Sequence, residues 1–557
     1  MVVLQRNKSN SKKSTAFTLT FFVKQYLNIF IAISGSVFLW AAWPMSLFTF
    51  LLFIAWLPLL WIEDHIKSRK KFFGIVYLHM VLWNVLVTWW VWNASLAGAL
   101  LAFFVNSLLM CIPWLLFHFT KKSLGRGIGY GSLIVFWLTF EYIHHNWELS
   151  WPWLTLGNAF ATHPEWVQWY QYTGTAGGSL WILLTNIIAY AAFSVYNAGG
   201  RTKRYDIRLG TWIAILFAPI LISRLLITAE EKYLQSGLST AAKNIVVVQP
   251  DIDPYEEKFS TPVEIQIQKL IRLSEEQIDS NTAMVVWPET AIPAQVWENA
   301  IKKNEYYRPV FAFLRRHSRI SLLTGIDSYK NYGNQKDNAS STARLDPGSR
   351  IYYDAFNTAA FFDADTTIQL YHKGKLVPGV EALPSFLLFL GKWFEDFGGI
   401  SGSLGRDAER KVFVAKDGHY KAAPVICYES IYGEYITEYI RKDANLLVII
   451  TNDGWWGDTP GYKQHMNYAR LRALETRKWV VRSANTGISC FIDPLGNVIN
   501  PQGWNKSTAI KLTVPVNDRQ TFFVKHGDIL SKISNGMAAI LLLLDISFVI
   551  RRKMMHK

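Results

Sequence analysis

Long apolar runs, each roughly the 17–25 residues that a helix needs to cross a bilayer, constrain this chain more than any other feature. They fall near residues 24–43, 45–62, 72–92, 96–119, 127–144, 177–197, 209–228 and 531–550. Buried helices of a soluble protein are the alternative, which these lengths disfavour. No small-residue cleavage site follows the first run, so we expect it to remain as an uncleaved span. The runs predict a polytopic α-helical membrane domain with about eight transmembrane helices.

Clusters of Lys and Arg alternate regularly along these runs. They precede span one and follow spans two, four, six and eight, at Lys8, Lys12 and Lys13; Lys67, Arg69, Lys70 and Lys71; Lys121, Lys122 and Arg126; Arg201, Lys203, Arg204 and Arg208; and Arg551, Arg552 and Lys553. Because basic loops stay in the cytoplasm, both termini are predicted to be cytoplasmic. The net charge of +15 then reflects membrane topology. Since no nucleic-acid recognition module accompanies the charge, we expect no nucleic-acid partner.

The same alternation predicts the domain boundaries. The predicted parts are a cytoplasmic segment (1–23), a membrane domain of about seven helices (24–228), an extracytoplasmic domain (229–530), a last transmembrane helix (531–550) and a basic cytoplasmic tail (551–557). Within the extracytoplasmic part, strand-like runs fall at 244–248, 283–286, 320–324, 358–362, 423–426, 446–451 and 487–491, and helix-like stretches at 261–279, 306–317, 433–443 and 461–478. This mixture is typical of a layered α/β or α+β domain.

A thiol, a carboxylate and an amine each follow a strand-like run in that domain: Cys427, Glu289 and Lys373. These are the groups that nucleophilic acyl chemistry requires. A nearby cation lowers the pKa of a thiol, and a carboxylate can act as general base. Lys373 and the backbone N–H of Tyr428 are candidate donors to a tetrahedral oxyanion. Taken singly, each residue also has an ordinary structural interpretation as a packed, capping or solvated side chain.

The chain has only three cysteines, at positions 111, 427 and 490. This number is too small for a disulfide framework. A Cys427–Cys490 disulfide remains an alternative at this point, and it would silence the proposed nucleophile. His465 near Asp453 raises the question of a metal, but the spacing of ligands does not support one, so we expect no metal.

Short motifs around these residues carry a family resemblance. The segments VWPE (286–289), YHK (371–373) and ICYE (426–429) resemble the Glu–Lys–Cys signatures of the nitrilase, or carbon–nitrogen hydrolase, superfamily. The segments TNDGWWG (451–457), SANTG (483–487) and WPWL (151–154) are similar to those of the apolipoprotein N-acyltransferase family. The resemblance implies a nitrilase-like αββα sandwich as the catalytic domain. With the predicted spans, it extends over nearly the whole chain.

The resemblance also implies a reaction. Cys427 takes an acyl chain from a membrane phospholipid as a thioester, and the α-amino group of the diacylglyceryl N-terminal cysteine of an apolipoprotein then receives it. No cofactor is implied. The expected location is the bacterial inner membrane, with the catalytic domain on the periplasmic side, and the expected state is a monomer.

Further roles are implied for residues near the catalytic motifs. Glu381, Glu429 and Tyr428 are expected to support the reaction. A second group, expected to contact substrate, comprises Trp153, Phe259 and Trp455. Glu429 has an alternative role as the partner that fixes the Lys373 ammonium, and Trp153 as an aromatic residue of the membrane interface. The apolar segment 383–397 is interpreted either as core or as a lipid-facing lid.

Two other functions compete with acyl transfer. A membrane-tethered amidase or hydrolase of the nitrilase type would pass the acyl group to water instead of to an amine. A transporter or lipid-binding scaffold is disfavoured, because no span shows an evident pair of opposite charges near its centre.

Overall fold

A computed structural model describes residues 26–45, 47–237, 242–365, 367–392 and 402–555. The predicted cytoplasmic segment 1–23 lies outside these residues, as do positions 393–397 of the apolar segment.

Helices of nine or more residues account for most of the described chain before residue 237 and after residue 529. They are α1 (Tyr26–Ala42), α2 (Leu57–His65), α3 (Arg69–Thr88), α4 (Leu96–Leu124), α5 (Arg126–His145), α6 (Thr175–Gly199), α7 (Lys203–Gly237) and, after the intervening domain, Ile529–Met555. Five of these described helices, namely α3, α4, α6, α7 and Ile529–Met555, are long and apolar enough to cross a membrane. We call α1–α7 together with Ile529–Met555 the helical region.

The run predicted as the second span is not one continuous helix. It contains a short 3-10 helix, Thr49–Phe53, and then α2. Pro58 lies in the first turn of α2, where its fixed φ and missing N–H are tolerated, whereas within a longer helix they would remove a backbone hydrogen bond. Helix α4 is also irregular, since Leu101–Val105 form a π-helical turn, a feature that often accompanies functional sites.

Two β-sheets form the centre of the domain between residues 243 and 526. The strands are β1 (Lys243–Gln249), β2 (Thr282–Val286), β3 (Ile292–Trp297), β4 (Ser321–Gly333), β5 (Arg344–Leu345), β6 (Tyr352–Phe362), β7 (Ile368–His372), β8 (Phe413–Val414), β9 (Lys421–Ile426), β10 (Leu446–Thr451), β11 (Trp479–Ala484), β12 (Cys490–Ile492), β13 (Val498–Ile499) and β14 (Thr508–Val514). One sheet has the order β14-β1-β2-β4-β6-β5, with β3 on β4 and β7 on β6; the other has the order β13-β12-β11-β10-β9-β8.

Four helices cover the outer faces of these sheets: α8 (Val263–Glu275), α9 (Arg308–Arg316), α10 (Gly433–Arg441) and α11 (Pro460–Thr476); the C-terminal helix Ile529–Met555 is α12. Alternate residues of β1 face opposite ways, as a strand requires. Val246 and Val248 pack in one apolar cluster with α8 and α9, while Ile245 and Val247 pack in a second cluster with the other sheet. The result is a layered helix–sheet–sheet–helix domain, as the sequence predicts.

The structure contains more β-strands than the sequence predicts. The seven predicted strands and four predicted helices all have counterparts. Strand β7 was indicated only as the strand-like run before Lys373, and β3, β5, β8, β11, β13 and β14 were not predicted. Three of these, β5, β8 and β13, have only two residues each, and β3 contains a proline, which weakens a strand signal. The strand predicted at 487–491 begins only at Cys490, since Gly487 has a φ of 134°.

The two parts of the molecule are joined by buried polar contacts. Trp43 donates through Nε1 to the Tyr468 hydroxyl at 3.0 Å, and Trp153 donates through Nε1 to Gln464 Oε1 at 2.7 Å. Both acceptors belong to α11. The helical region therefore packs directly against the helix that lies behind the predicted nucleophile.

Candidate active site

Three strand ends converge on one point of the domain. Glu289 lies three residues after β2, Lys373 directly follows β7 and Cys427 directly follows β9. All three side chains are buried, and they line the same cavity. The structure thus brings together the carboxylate, amine and thiol that the sequence singles out.

Two carboxylates hold the Lys373 ammonium. Its Nζ lies 2.9 Å from Glu381 Oε1 and 3.3 Å from Glu289 Oε1. Burial alone would lower the pKa of Lys373, but the charges of Glu381 and Glu289 raise it above its ordinary value. The amine is therefore a fixed cation, not a base, at neutral pH.

Backbone and amide donors fix the Glu289 carboxylate. Oε1 accepts from Asn357 Nδ2 at 2.7 Å, and Oε2 accepts from the Asn452 backbone N–H at 2.9 Å. Gly325 of β4 packs closely against the backbone of this loop: a Cβ at position 325 would lie 2.6 Å from the Glu289 Cα. The carboxylate therefore has one defined orientation toward the cavity.

Cys427 occupies a strained backbone position. Its φ is +48°, a left-handed conformation that costs a residue with a side chain on the order of 1–3 kcal/mol. Such a turn at a strand exit points the side chain out of the sheet and into the cavity. Cys427 and Cys490 are both free thiols, so the disulfide alternative is wrong.

The Cys427 thiol is protonated at neutral pH. Burial raises its pKa well above the ordinary value, and the charge of Glu289 adds to this effect, while Lys373 opposes it. A thiol in this state needs a base to remove its proton when it attacks. The Glu289 carboxylate lines the same cavity.

Glu429 joins the Lys373 segment to the Cys427 segment. Its Oε1 accepts from the hydroxyls of Tyr371 and Tyr435, both at 2.6 Å, and from the Gly374 N–H at 2.7 Å. Its Oε2 accepts from the Ile426 N–H at 2.8 Å. The donors are thus two tyrosine hydroxyls and the backbone N–H groups next to Lys373 and Cys427. The Lys373 ammonium itself is held by Glu381 and Glu289. The alternative role predicted for Glu429, as direct partner of the ammonium, is therefore wrong.

Aromatic residues of the loop before α6 cover the other side of the nucleophile. The ring of Tyr428 stacks on Trp151 at 6.3 Å, and its hydroxyl donates to the Ser150 carbonyl at 2.9 Å. Trp153 is fully buried beside Trp151. Because Trp153 lies inside the protein, the alternative role predicted for it, as an aromatic residue of the membrane interface, does not apply.

A cavity of about 300 Å³ connects the site to the helical region. Glu289, Lys373, Glu381, Cys427 and Tyr428 line one end. The other lining residues include Ser95, directly before α4, and a row on α4 that consists of Gly98, Leu101, Ala102, Asn106 and Leu109. The cavity therefore extends from a charged reaction site along one mostly apolar face of a long helix.

The remaining predicted contact residues differ in position. Trp455 lines the cavity and packs edge-on against Tyr255 at 5.2 Å. Phe259 is 76% exposed and is not among the described residues that line the cavity. In the described part of the apolar segment, Leu383, Leu387 and Leu390 pack with Ala97 and Leu101 of the helical region, while Phe389 is 81% exposed.

Several polar residues of the site were not predicted to act there. Asn357 holds both Glu289 and Glu381, and its only sequence signal is an amide at the start of an apolar strand run. Asn452 was visible only as part of a motif. His465, considered for a metal, instead hydrogen-bonds through Nδ1 to Asp453 Oδ1 at 2.9 Å.

Comparison with known proteins agrees with this division of the chain. The profile described as Carbon-nitrogen hydrolase matches residues 245–522, and the profile described as Apolipoprotein N-acyltransferase N-terminal domain matches residues 35–188. Both profiles fall on separate parts of the fold, one on the sandwich and the other on the helical region.

Relatives that match most of this chain are named apolipoprotein N-acyltransferase. The apolipoprotein N-acyltransferase of Chlorobaculum tepidum is 30% identical over 90% of this chain and 92% of that protein. Apolipoprotein N-acyltransferase 1 of Treponema denticola is 24% identical over 95% of this chain and 98% of that protein. The apolipoprotein N-acyltransferase of Rickettsia prowazekii is 26% identical over 77% of this chain and 77% of that protein. The extent and level of this similarity show that the chain belongs to the apolipoprotein N-acyltransferase family, with a carbon–nitrogen hydrolase domain as its sandwich.

Proposed function

We propose that this protein transfers an acyl chain from a membrane phospholipid to the N-terminal amine of a diacylated apolipoprotein, through a thioester on Cys427. The observation that carries the proposal is the cavity that joins Cys427, Glu289 and Lys373 to the mostly apolar face of α4. A charged reaction site continuous with an apolar helix face suits a substrate that has an ester group and a long hydrocarbon chain.

In the first half-reaction, Glu289 takes the proton of the Cys427 thiol as the sulfur attacks the ester carbonyl carbon of the phospholipid. The carbonyl oxygen becomes an oxyanion, which the Lys373 ammonium and the Tyr428 N–H stabilise. The intermediate then collapses with cleavage of the carbon–oxygen ester bond. Glu289 returns the proton to the departing glycerol oxygen, so that a lysophospholipid leaves and a thioester remains.

In the second half-reaction, the acceptor amine attacks the thioester carbonyl carbon. Glu289 accepts a proton from the attacking nitrogen and returns it to the sulfur as the carbon–sulfur bond breaks. The products are an amide and the free Cys427 thiol. Glu381 and Asn357 hold Lys373 and Glu289 in register through both steps.

The test uses purified full-length protein with phospholipid and a synthetic diacylated lipopeptide. We expect an acyl adduct on Cys427 by intact mass and an amide product once lipopeptide is added, with neither in Cys427→Ala. Free fatty acid without amide would favour the hydrolase alternative. Absence of any adduct in the unsubstituted protein would contradict the proposal.

The membrane arrangement belongs to the same proposal. Eight helical segments cross a bacterial inner membrane, both termini are cytoplasmic, and residues 229–530 lie in the periplasm. The basic clusters of the sequence support this orientation. A membrane-impermeant maleimide applied to intact spheroplasts should label Asn338→Cys, on the sandwich, but not Lys70→Cys, in the first turn of α3, against the unsubstituted protein as background. The reverse pattern would contradict the orientation.

One chain supplies every residue of the site, which supports a monomer as the active unit. Phe259 and the exposed face of the segment around Phe389 remain proposed contacts for lipid at the rim of the site, outside the cavity itself. Light scattering of the detergent-solubilised protein measures the oligomeric state directly, and a stable dimer would contradict the monomer.

A further inference from the structure

A buried polar chain runs from β11 to the backbone of the nucleophile. Arg482 donates to Asp453 Oδ2 at 2.6 Å, and Asp453 Oδ1 lies 2.9 Å from His465 Nδ1. The opposite ring nitrogen of His465, Nε2, lies 3.2 Å from the Cys427 carbonyl oxygen. All three side chains are fully buried. The mechanism above assigns no role to any of them.

The end of this chain is a backbone group, not a reacting atom. The Cys427 carbonyl oxygen also accepts from Ser430 Oγ at 2.7 Å, and Ser430 Oγ lies 2.9 Å from His465 Nε2. The Cys427 carbonyl oxygen and Ser430 Oγ thus both lie within hydrogen-bond distance of Nε2, where an N–H can donate to them, while Nδ1 faces Asp453 and lies 3.2 Å from an Arg482 guanidinium nitrogen. Asp453 pairs with Arg482 in this chain: although burial would raise the pKa of Asp453, Arg482 and His465 lower it to about 2.

The Cys427 carbonyl belongs to the same peptide unit as the Tyr428 N–H. A peptide unit is planar, and in the trans form its C=O and N–H point in opposite directions. Two hydrogen bonds that fix the carbonyl therefore also fix the direction of the N–H. This matters at Cys427 in particular, because its φ of +48° is a strained conformation that the surroundings must hold.

We propose that His465, held by Asp453, is a positioning residue for acyl transfer: by anchoring the Cys427 carbonyl it aims the Tyr428 N–H at the oxyanion. The inference deepens the proposed function and rests on its assignment of that N–H. Aromatic residues hold the ring in turn, since Trp153 and Trp456 lie 5.9 and 5.5 Å from it, centroid to centroid.

A comparison of two reactions of the same thiol tests this role. Alkylation by iodoacetamide uses the Cys427 sulfur but forms no oxyanion. Acylation by a p-nitrophenyl ester uses the same sulfur and also forms an oxyanion that needs a donor. Removing an oxyanion donor costs roughly 10²–10³ in rate. We therefore expect His465→Ala to slow acylation by about 10–100-fold, the cost of a misdirected donor, and to leave the alkylation rate within about twofold.

Further variants separate positioning from loss of fold. His465→Gln keeps an N–H donor near the position of Nε2 and should recover much of the acylation rate. Ser430→Ala removes the second donor to the same carbonyl and should give a smaller loss, of about tenfold, again without a change in alkylation. Met466→Leu, a buried change one residue along α11, is the matched control and should behave as the unsubstituted protein.

The outcomes are distinguishable from a failure of the proposed function. If the unsubstituted protein is acylated by the p-nitrophenyl ester but not by phospholipid, the proposed substrate is wrong and the positioning role is still measured. If His465→Ala and Ser430→Ala lower alkylation and acylation equally, or lower neither, the positioning role is overturned.

Discussion

At the scale of single residues, the site combines a neutral thiol, the proposed nucleophile, with a cationic amine. Burial raises the pKa of the Cys427 thiol, and Glu289 raises it further. The carboxylates of Glu381 and Glu289, by contrast, raise the pKa of the Lys373 amine against the effect of its burial. The proton of the thiol is therefore present at neutral pH, and a carboxylate base has to remove it during attack.

Replacing that base is the direct test at this scale. Glu289→Gln keeps the shape of the side chain but removes its ability to accept a proton. We expect thioester formation from phospholipid to fall by roughly 10²–10⁴, the usual contribution of a general base. Intact mass measured over a time course gives the rate, and Glu264→Gln, an exposed change on α8, is the control. An unchanged rate would exclude Glu289 as the base.

The raised thiol pKa also predicts a pH dependence. A thiol with an ordinary pKa of about 8.5 is half deprotonated at that pH, so its alkylation rate rises only about threefold between pH 8 and pH 9. Because the pKa of Cys427 is raised well above this value, its deprotonated fraction should grow in proportion to the hydroxide concentration over the same range. The iodoacetamide rate of Cys427, followed by mass spectrometry, should therefore rise about tenfold between pH 8 and pH 9. A rise of about threefold or less would contradict the protonated resting thiol.

At the scale of elements, the site depends on loops from different strands being held against each other. Glu429 accepts hydrogen bonds from the segments after β7 and before the nucleophile, and from Tyr435 of α10. Burial raises its pKa, and the hydrogen bonds that it accepts oppose that effect. A single carboxylate thus sets the distance between the Lys373 and Cys427 segments.

Glu429→Gln tests this connection. The amide replaces one acceptor oxygen by an NH₂ group that faces other donors, so a buried hydrogen bond is lost at a cost of about 1–3 kcal/mol. We expect a lower melting temperature together with slower acyl transfer. Glu409→Gln, an exposed change outside the site, should alter neither. A variant with normal stability and normal transfer would show that Glu429 does not hold the segments together.

The approach of β4 to the Glu289 loop gives a second test at this scale. A Cβ at position 325 would meet the backbone of Glu289 and Thr290, which cannot move away as a side-chain tip would. Gly325→Ala should therefore displace the carboxylate, and a displacement near 1 Å costs about 10²-fold in rate. The acylation rate measures the effect, while the iodoacetamide rate of Cys427 should change much less. Equal loss in both reactions would indicate general misfolding.

At the scale of the whole molecule, the reaction site and the helical region share one cavity. Gly98 of α4 lines it, and a methyl group there would make only ordinary contacts, at 3.5 Å from Ser95. A larger side chain at this position would occupy the path of a long acyl chain but would lie away from the thiol. The effect of such a change should therefore depend on the length of the acyl chain of the donor.

We expect Gly98→Leu to raise the KM for long-chain phospholipid several-fold and to leave acylation by a short p-nitrophenyl ester unchanged. Gly74→Leu is a matched control, because Gly74 lies on α3 with open space around it. Kinetics with donors of two chain lengths give the comparison. Equal effects on both donors would mean that the α4 face does not hold the acyl chain.

Local sequence was sufficient to single out those site residues that directly follow a recognisable motif. Cys427, Glu289 and Lys373 each follow a strand-like run, and the ends of neighbouring strands in a layered domain meet at one edge. While the sandwich arrangement came from the family resemblance, periodicity along the chain likewise predicted a layered domain of strands and helices. It did not anticipate the broken second apolar run, where Pro58 starts a short helix instead of continuing a long one.

Hydrophobic periodicity and strand-end motifs are local, so the sequence alone was enough to predict the two-part architecture and the three groups proposed to react. Tertiary structure decided what surrounds those groups. Asn357 reaches Glu289 across 68 residues, and His465 reaches the Cys427 carbonyl across 38. It also left Phe259 exposed while burying Trp153. Partners so distant along the chain are chosen by packing, which no local pattern encodes.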